Sequence, residues 1–321
     1  MHWRCRSGSL IAALAAAACV GSSHQEPVRV VIPTGATFRS AALALADSHV
    51  IAWPTFFRVY ASMSHRDRAI RPGTYLLYPG IGWSATLEAL THGRGLLHVM
   101  TIPEGWDLTE IAPLLGRTIG ADSDSVAAAV RDSTLRRALA DPAATLEGYL
   151  FPATYSFPDG TPPRVAVALM THEFERAWNP AWNARCEALG FSRHDAVTLA
   201  SIIEKEARLP EERAVISAVY HNRLRLHMPL QADPTVQYAL GHHVERMYYR
   251  DLAVESPYNT YKHPGLPPGP IGSPGAASLE AAVTPADVPY LFFVAAPDGH
   301  HEFRTTLAEH DQAKNAIRGH R

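Results

Sequence analysis

Two glutamates flank one lysine in Ser201-Ile202-Ile203-Glu204-Lys205-Glu206-Ala207, a stretch that is otherwise mostly apolar. A carboxyl at the edge of a buried helical face can stay protonated near neutral pH, which is what a general acid requires. Polar and aromatic groups follow closely in Tyr220-His221-Asn222-Arg223-Leu224, in Gln231-Ala232-Asp233-Pro234-Thr235-Val236 and in Ser256-Pro257-Tyr258-Asn259-Thr260-Tyr261. Sugar rings stack on aromatic faces while amides bond their hydroxyls, so an acid beside such residues suggests cleavage of a sugar chain. On a helical wheel Ala196, Leu199, Ala200, Ile203 and Ala207 share one face. Glu204 lies at one edge of it, by Val197 and Ala200, and Glu206 at the other, by Leu199 and Ile202. The wheel therefore gives two half-buried acids on opposite flanks and does not choose between them. The plain alternative is a pair of surface glutamates facing a cation one turn away.

Other chemistries have less behind them. His242-His243 and His300-His301 are adjacent pairs, whose rings point in different directions on a helix or strand. Zinc on a helix wants histidines at i and i+4, and no HExxH occurs, so no metal site is expected. Cys5, Cys19 and Cys186 are the only cysteines. Cys186 reads as a small buried hydrophobe without a partnering base. A net charge of -2 and a pI near 6.8 leave no electrostatic footprint for nucleic acid.

The elements that must position these residues follow from pattern. A basic start (His2, Arg4, Arg6) precedes an apolar run at 10–20 and then Gly21-Ser22-Ser23. The run fits a signal-peptide core, and Cys19 sits where a lipoprotein acceptor would, though with Ala16 in place of the usual leucine. Lipid on Cys19, a cleaved signal and a short membrane anchor all put the body outside the cytoplasm. Residues 28–33 and 73–78 read as strands, with helices at 37–46 and 51–61 between them. Strand, helix, helix, strand is the plan of a LysM module, a small glycan-binding unit. Val31-Ile32-Pro33-Thr34-Gly35 is echoed by Thr101-Ile102-Pro103-Glu104-Gly105, which raises an internal duplication of a strand-turn-helix unit. One helix is expected over 122–140 and another over 164–178, with an aromatic connection at 146–152. Ser192 and Asp195 have capping-box spacing for the helix that carries the acids. Pro210 with Glu211 and Glu212 opens the next helix, and Asp233-Pro234 reads as N-cap and first turn of a third that Gly241 ends. Residues 256–275 hold six prolines and four glycines, a loop long enough to imply a role. A strand at 290–295, a turn and a return at 301–304 precede a last helix capped by Thr306 and Glu309.

Taken together the segments resemble the MltG/YceG-type endolytic murein transglycosylases, from about Val28 to the C-terminus. The resemblance is carried by 101–105, 146–152, 200–207, Asn222-Arg223-Leu224, 231–236, 256–261 and 265–271, in order and spacing. Ala232 stands where Thr or Ser is common and Ser273 where Asn is common, and the N-terminal anchor is shorter than the family's usual transmembrane helix. The resemblance, unlike the wheel, implies that the first glutamate of the triplet, Glu204, is catalytic.

The expectation is an α+β protein, with an anchor at 1–27, a LysM-like βααβ module at 28–97 and a mixed α/β catalytic domain at 98–321. The implied reaction is non-hydrolytic cleavage of the MurNAc–GlcNAc β-1,4 bond within peptidoglycan strands, giving 1,6-anhydroMurNAc ends and terminating nascent strand growth. A single acid would serve, where ordinary glycosidases use two carboxylates. Asn222, Gln231, Asp233, Tyr258, Asn259 and Tyr261 are the candidates to orient the sugar, with no cofactor. The implied setting is the cell envelope, membrane-anchored and facing the periplasm or exterior, near a peptidoglycan synthase complex. A non-enzymatic wall binder would release no muropeptides, a hydrolytic muramidase would leave reducing ends, and a zinc peptidase would fail with chelator.

Overall fold

The first strand, β1 (Val28–Ile32), alternates exposed and buried residues and pairs antiparallel with β2 (Gly73–Leu77), Val28 facing Leu77 and Ile32 facing Gly73. Between them lie α1 (Phe38–Asp47), capped by Thr37, and α2 (Pro54–Met63), which begins with its proline at the first turn rather than at Ile51. A further helix, α3 (Trp83–His92), follows β2. Val30, Ile32, Leu45, Phe57, Tyr75, Leu87 and Leu90 form a core of their own beneath this β-α-α-β-α unit. The structure is a computed structural model that describes residues 26–139, 144–241, 244 and 247–319. The apolar run, Cys5, Cys19 and His242-His243 lie outside the described residues. Among the described residues no helix is long and apolar enough to cross a membrane.

The chain passes to a second core in β3 (Leu97–Thr101), whose Met100 is the first buried member of that core. The break expected at 97/98 therefore falls inside a strand. β3 pairs antiparallel with β4 (Thr154–Pro158), an element the aromatic segment at 146–152 had concealed. Gly105 has a φ of 82° and turns the chain into α4 (Leu108–Ile119), which has a capping box between Asp107 and Glu110. The helix expected over 122–140 is two: α5 (Ser123–Ala129) and α6 (Ser133–Ala138). Asp132 breaks them apart because its carboxylate caps Thr134 and Leu135, ending one helix by starting another. Then come α7 (Pro163–Ala177), α8 (Ala181–Leu189) and the central α9 (Arg193–Glu206). α9 starts at the expected capping box, with Ser192 Oγ accepting from Asp195 N at 3.1 Å and Asp195 accepting from Ser192 N at 2.8 Å.

From Ala196 to Ile203 every residue of α9 is buried, on all sides, because α8, α10 (Arg213–Arg225), α11 (Asp233–Leu240) and α12 (Ala276–Val283) surround it. Its last turn, with the two glutamates, reaches the surface of the packing, as does its first with Arg193 and Asp195. A final hairpin, β5 (Phe292–Ala295) with β6 (His301–Arg304), and α13 (Leu307–Gly319) close the unit. The result is mixed α and β, with small antiparallel sheets around two separate hydrophobic cores.

Candidate functional site

The last turn of α9 sends its glutamates to different neighbours, as the wheel requires. Glu204 turns toward α10 and α12. Its Oε1 accepts from Arg213 Nη2 at 3.3 Å and its Oε2 from the backbone N–H of Gly275 at 3.0 Å. Gly275 is the N-cap of α12, so the carboxylate completes a helix N-terminus. Arg213 is fixed in turn by Ser278 Oγ at 3.1 Å. Glu204 thus has a partner on each oxygen and a side chain only 7% exposed, which leaves it little room to meet a substrate.

The same corner holds a carboxylate that the sequence reading passed over. Gly105 N donates to Ser273 O and Ser273 N to Trp106 O, both at 2.7 Å, which clamps the 103–106 turn to the end of the Pro/Gly loop. A Cβ on Gly275 would stand 1.8 Å from Glu104 Oε1, so Glu104 lies directly on that glycine. Burial first, and then the Glu204 carboxylate, push Glu104 above the usual range, and Arg213 opposes them. The recurring Ile-Pro-x-Gly phrase pointed at this segment, but nothing in it distinguished Glu104 from an ordinary turn residue.

Glu206 faces the other way, into a cavity of about 470 Å³. Tyr220 and Arg223 of α10, Gln231, Asp233, Tyr261, the β5–β6 hairpin and α13 line it. Tyr220 donates to Glu206 Oε1 at 3.1 Å, and among the described residues Oε2 has no hydrogen-bond partner. Burial lifts the Glu206 carboxyl to about 7, and the nearby Asp233 carboxylate adds to the rise. The Tyr220 hydrogen bond and Arg208 act against it without cancelling it. Across the cavity Tyr261 donates to Asp233 Oδ1 at 2.5 Å, and Arg223 Nη1 reaches Gln231 Oε1 at 3.3 Å. Asp233 is the first residue of α11 rather than its N-cap, which is Ala232 and offers no side-chain cap. That one-residue shift frees the Asp233 carboxylate from capping and gives it to Tyr261.

Three expected sugar contacts are thus together at Glu206, and three are elsewhere. Asn222 Nδ2 donates to Val288 O at 2.9 Å and Tyr290 O at 3.0 Å, bracing the approach to β5. Asn259 is fully buried, its Nδ2 on Leu252 O and Val254 O and its Oδ1 on Tyr261 N. Tyr258 packs on Tyr238 with ring centroids 4.8 Å apart and on the 266–269 part of the loop. Tyr258 and Asn259 brace the loop and Asn222 braces the approach to β5, and none of the three lines the Glu206 cavity. The loop is anchored to α9 as well: Ile271 N donates to Ser201 Oγ at 3.0 Å, and His194 Nε2 meets Pro268 O at 2.9 Å.

The cavity wall has a second buried pair. His301 Nδ1 lies 2.6 Å from Glu212 Oε2, and His301 N donates to Glu212 Oε1 at 2.7 Å. Glu212 thereby ties the hairpin to the entry of α10, whereas His300 turns to Asp298. Among the described residues no three His, Cys, Asp or Glu side chains gather as metal ligands would. Cys186 is buried in the second core, and burial pushes its thiol up.

Comparison with known proteins agrees with this architecture. The model of the YceG-like family matches residues 30–316. The endolytic murein transglycosylase of Bacillus subtilis is 35% identical over 312 residues, 92% of this chain and 86% of that one. The protein of the same name from Streptococcus pneumoniae D39 is 28% identical over 91% of this chain, which spans 59% of its length. A crystal structure of a YceG-like protein from Listeria monocytogenes superposes with a TM-score of 0.64 at 32% identity, covering 89% of this chain and 98% of that one. With a family model spanning nearly all of the described residues and relatives matched along their length, the chain belongs to the YceG-like family.

Proposed function

We propose that this protein is an endolytic murein transglycosylase, and that its acid is Glu206. The observation that carries the reading is one carboxyl, lifted to about 7 by burial, with one free oxygen in a polar cavity lined by Gln231, Asp233 and Tyr261. Glu204, which the resemblance implied, has both oxygens engaged and a closed side chain; it serves instead to lock Arg213 and the start of α12.

The substrate is the peptidoglycan strand and the bond is the MurNAc–GlcNAc β-1,4 link. Protonated Glu206 gives its proton to the glycosidic oxygen, and the C1–O bond breaks. The resulting carboxylate takes the proton of the MurNAc C6 hydroxyl, whose oxygen bonds to C1 and closes a 1,6-anhydro ring. The proton returns to Glu206 and no water is consumed. Such a step requires an acid whose pKa lies near the working pH and a sugar held against it. Asp233, Tyr261 and Gln231 hold sugar hydroxyls, a reading supported by their lining the same cavity as Glu206. The N-terminal β-α-α-β unit supports a LysM-like hold on the strand, and the apolar N-terminal run supports an envelope setting beside the synthase that makes nascent strands. Mass spectrometry of digested sacculi tests the reaction: anhydro-ended muropeptides are expected. Reducing ends would make the protein a hydrolase, and no release would make it a binder.

A further inference from the structure

We infer that helix α2 is a membrane-surface contact, its outer face lying in the headgroup region of an anionic bilayer. α2 is apolar on two sides. Phe57 and Ala61 are buried in the first core, while Trp53, Phe56, Val59 and Met63 stand out from it, 68%, 62%, 54% and 78% exposed. Phe56, Val59 and Met63 share one face of the helix, and Trp53 at its N-cap meets Phe56 edge-on with ring centroids 6.4 Å apart. Four large apolar side chains side by side differ from the scattered ones any surface carries. Trp53, at the helix entry, has a φ of 61°, a left-handed conformation rare for a bulky residue, and no capping bond offsets it.

Charge names the occupant. Residues 28–72 hold six arginines against Asp47 and Asp67, a formal +4 in a chain whose total is -2. Arg39, Arg58, Arg66 and Arg68 are exposed, and among the described residues none is in an ion pair. An apolar stripe with tryptophan and phenylalanine, rimmed by unpaired arginines, is the composition of a helix lying in a lipid interface. Chain length agrees. The apolar run ends at Val20, and residues 21–27 span roughly 25 Å even fully extended, so an anchored chain keeps this unit near the bilayer. The inference rests on the anchoring reading and is independent of the reaction at Glu206.

The test uses the full chain on vesicles of phosphatidylcholine and phosphatidylglycerol with brominated acyl chains, reading tryptophan fluorescence. Wild type should sediment with the vesicles and lose part of its emission to bromine. Trp53→Phe should remove most of that quenched component. Phe56→Ser with Met63→Ser should cut the Trp53 quenching by half or more, and neutral vesicles or high salt should weaken it. The Phe56→Ser, Met63→Ser protein should keep the wild-type thermal midpoint, because both side chains are exposed. If the protein sediments but Trp53→Phe leaves quenching unaltered, the anchoring reading stands and α2 is not the contact. No sedimentation at all would remove both. Should the Phe56→Ser, Met63→Ser variant lose binding to glycan strands while vesicle quenching is untouched, the face belongs to the glycan and the inference falls.

Discussion

At the scale of single residues, two buried acids give the protein a distinctive pH response. Glu206 rises from 4.5 to about 7, and Glu147, buried beneath α4, from 4.5 to about 8, mainly because burial disfavours their charge. A carboxyl whose folded pKa lies above its unfolded value binds its proton more tightly when folded. Its contribution to stability is complete below about pH 4.5 and is lost as pH rises through about 7 for Glu206 and about 8 for Glu147. The thermal midpoint should therefore fall between pH 5 and pH 9. Glu147→Gln should flatten that fall, and an unchanged slope in the variant would show that Glu147 does not titrate in this range. Asn259 makes the complementary point. Removing a buried amide that bonds two partly buried carbonyls costs roughly 1–3 kcal/mol. Asn259→Ala should therefore show that loss in denaturant titration, while the folded fraction keeps its turnover. Lost turnover at unchanged stability would return Asn259 to the sugar.

At the scale of elements, what could be read in advance was whatever local pattern dictates. The Ser192–Asp195 box located the start of α9, and the wheel correctly separated Glu204 from Glu206. The choice between the acids was illegible, because it depends on partners far along the chain: Arg213 and Gly275 for one, Tyr220 and Asp233 for the other. The positions of Asn222, Tyr258 and Asn259 were illegible for the same reason. Their types suit sugar, but their hydrogen bonds and packing belong to the 256–275 loop and the β5 approach. β4 was hidden because its short strand pairs with β3 more than fifty residues away. The loop's seating depends on Gly148, whose φ is 82° and where a Cβ would stand 2.4 Å from Pro270 Cβ. Gly148→Ala should destabilise the protein by more than about 1 kcal/mol, through strain and overlap together. Hydrogen exchange around 268–271 should rise with it; unaltered protection there would show that the contact does not seat the loop.

At the scale of the molecule, the α+β class and the β-α-α-β order were legible because each strand and helix there carries its own period and turn residues. Two units were expected at 28–97 and 98–321, and the structure has one buried cluster within residues 30–90 and another within 100–283. Leu45 and Leu199 are both fully buried, one in each core. Truncating a buried leucine to alanine costs roughly 2–5 kcal/mol. Leu45→Ala should loosen amide protection across 30–90 while that of α9 persists, and Leu199→Ala should do the reverse. Equal loss everywhere in both variants would mean that the two cores unfold as one cooperative unit.

The most direct test of the central claim is turnover by Glu206→Gln on purified glycan strands, scored as anhydro ends, beside Glu204→Gln. General acid–base catalysis contributes roughly 10²–10⁴-fold. Glu206→Gln keeps the shape and removes the transferable proton, so it should lose activity at the upper end of that range without losing stability. Glu204→Gln should lose stability, since Arg213 is left without its carboxylate, but its folded fraction should turn over strands far faster than Glu206→Gln. Near-normal turnover by Glu206→Gln, with Glu204→Gln folded and inactive, would contradict the account and move the acid to Glu204.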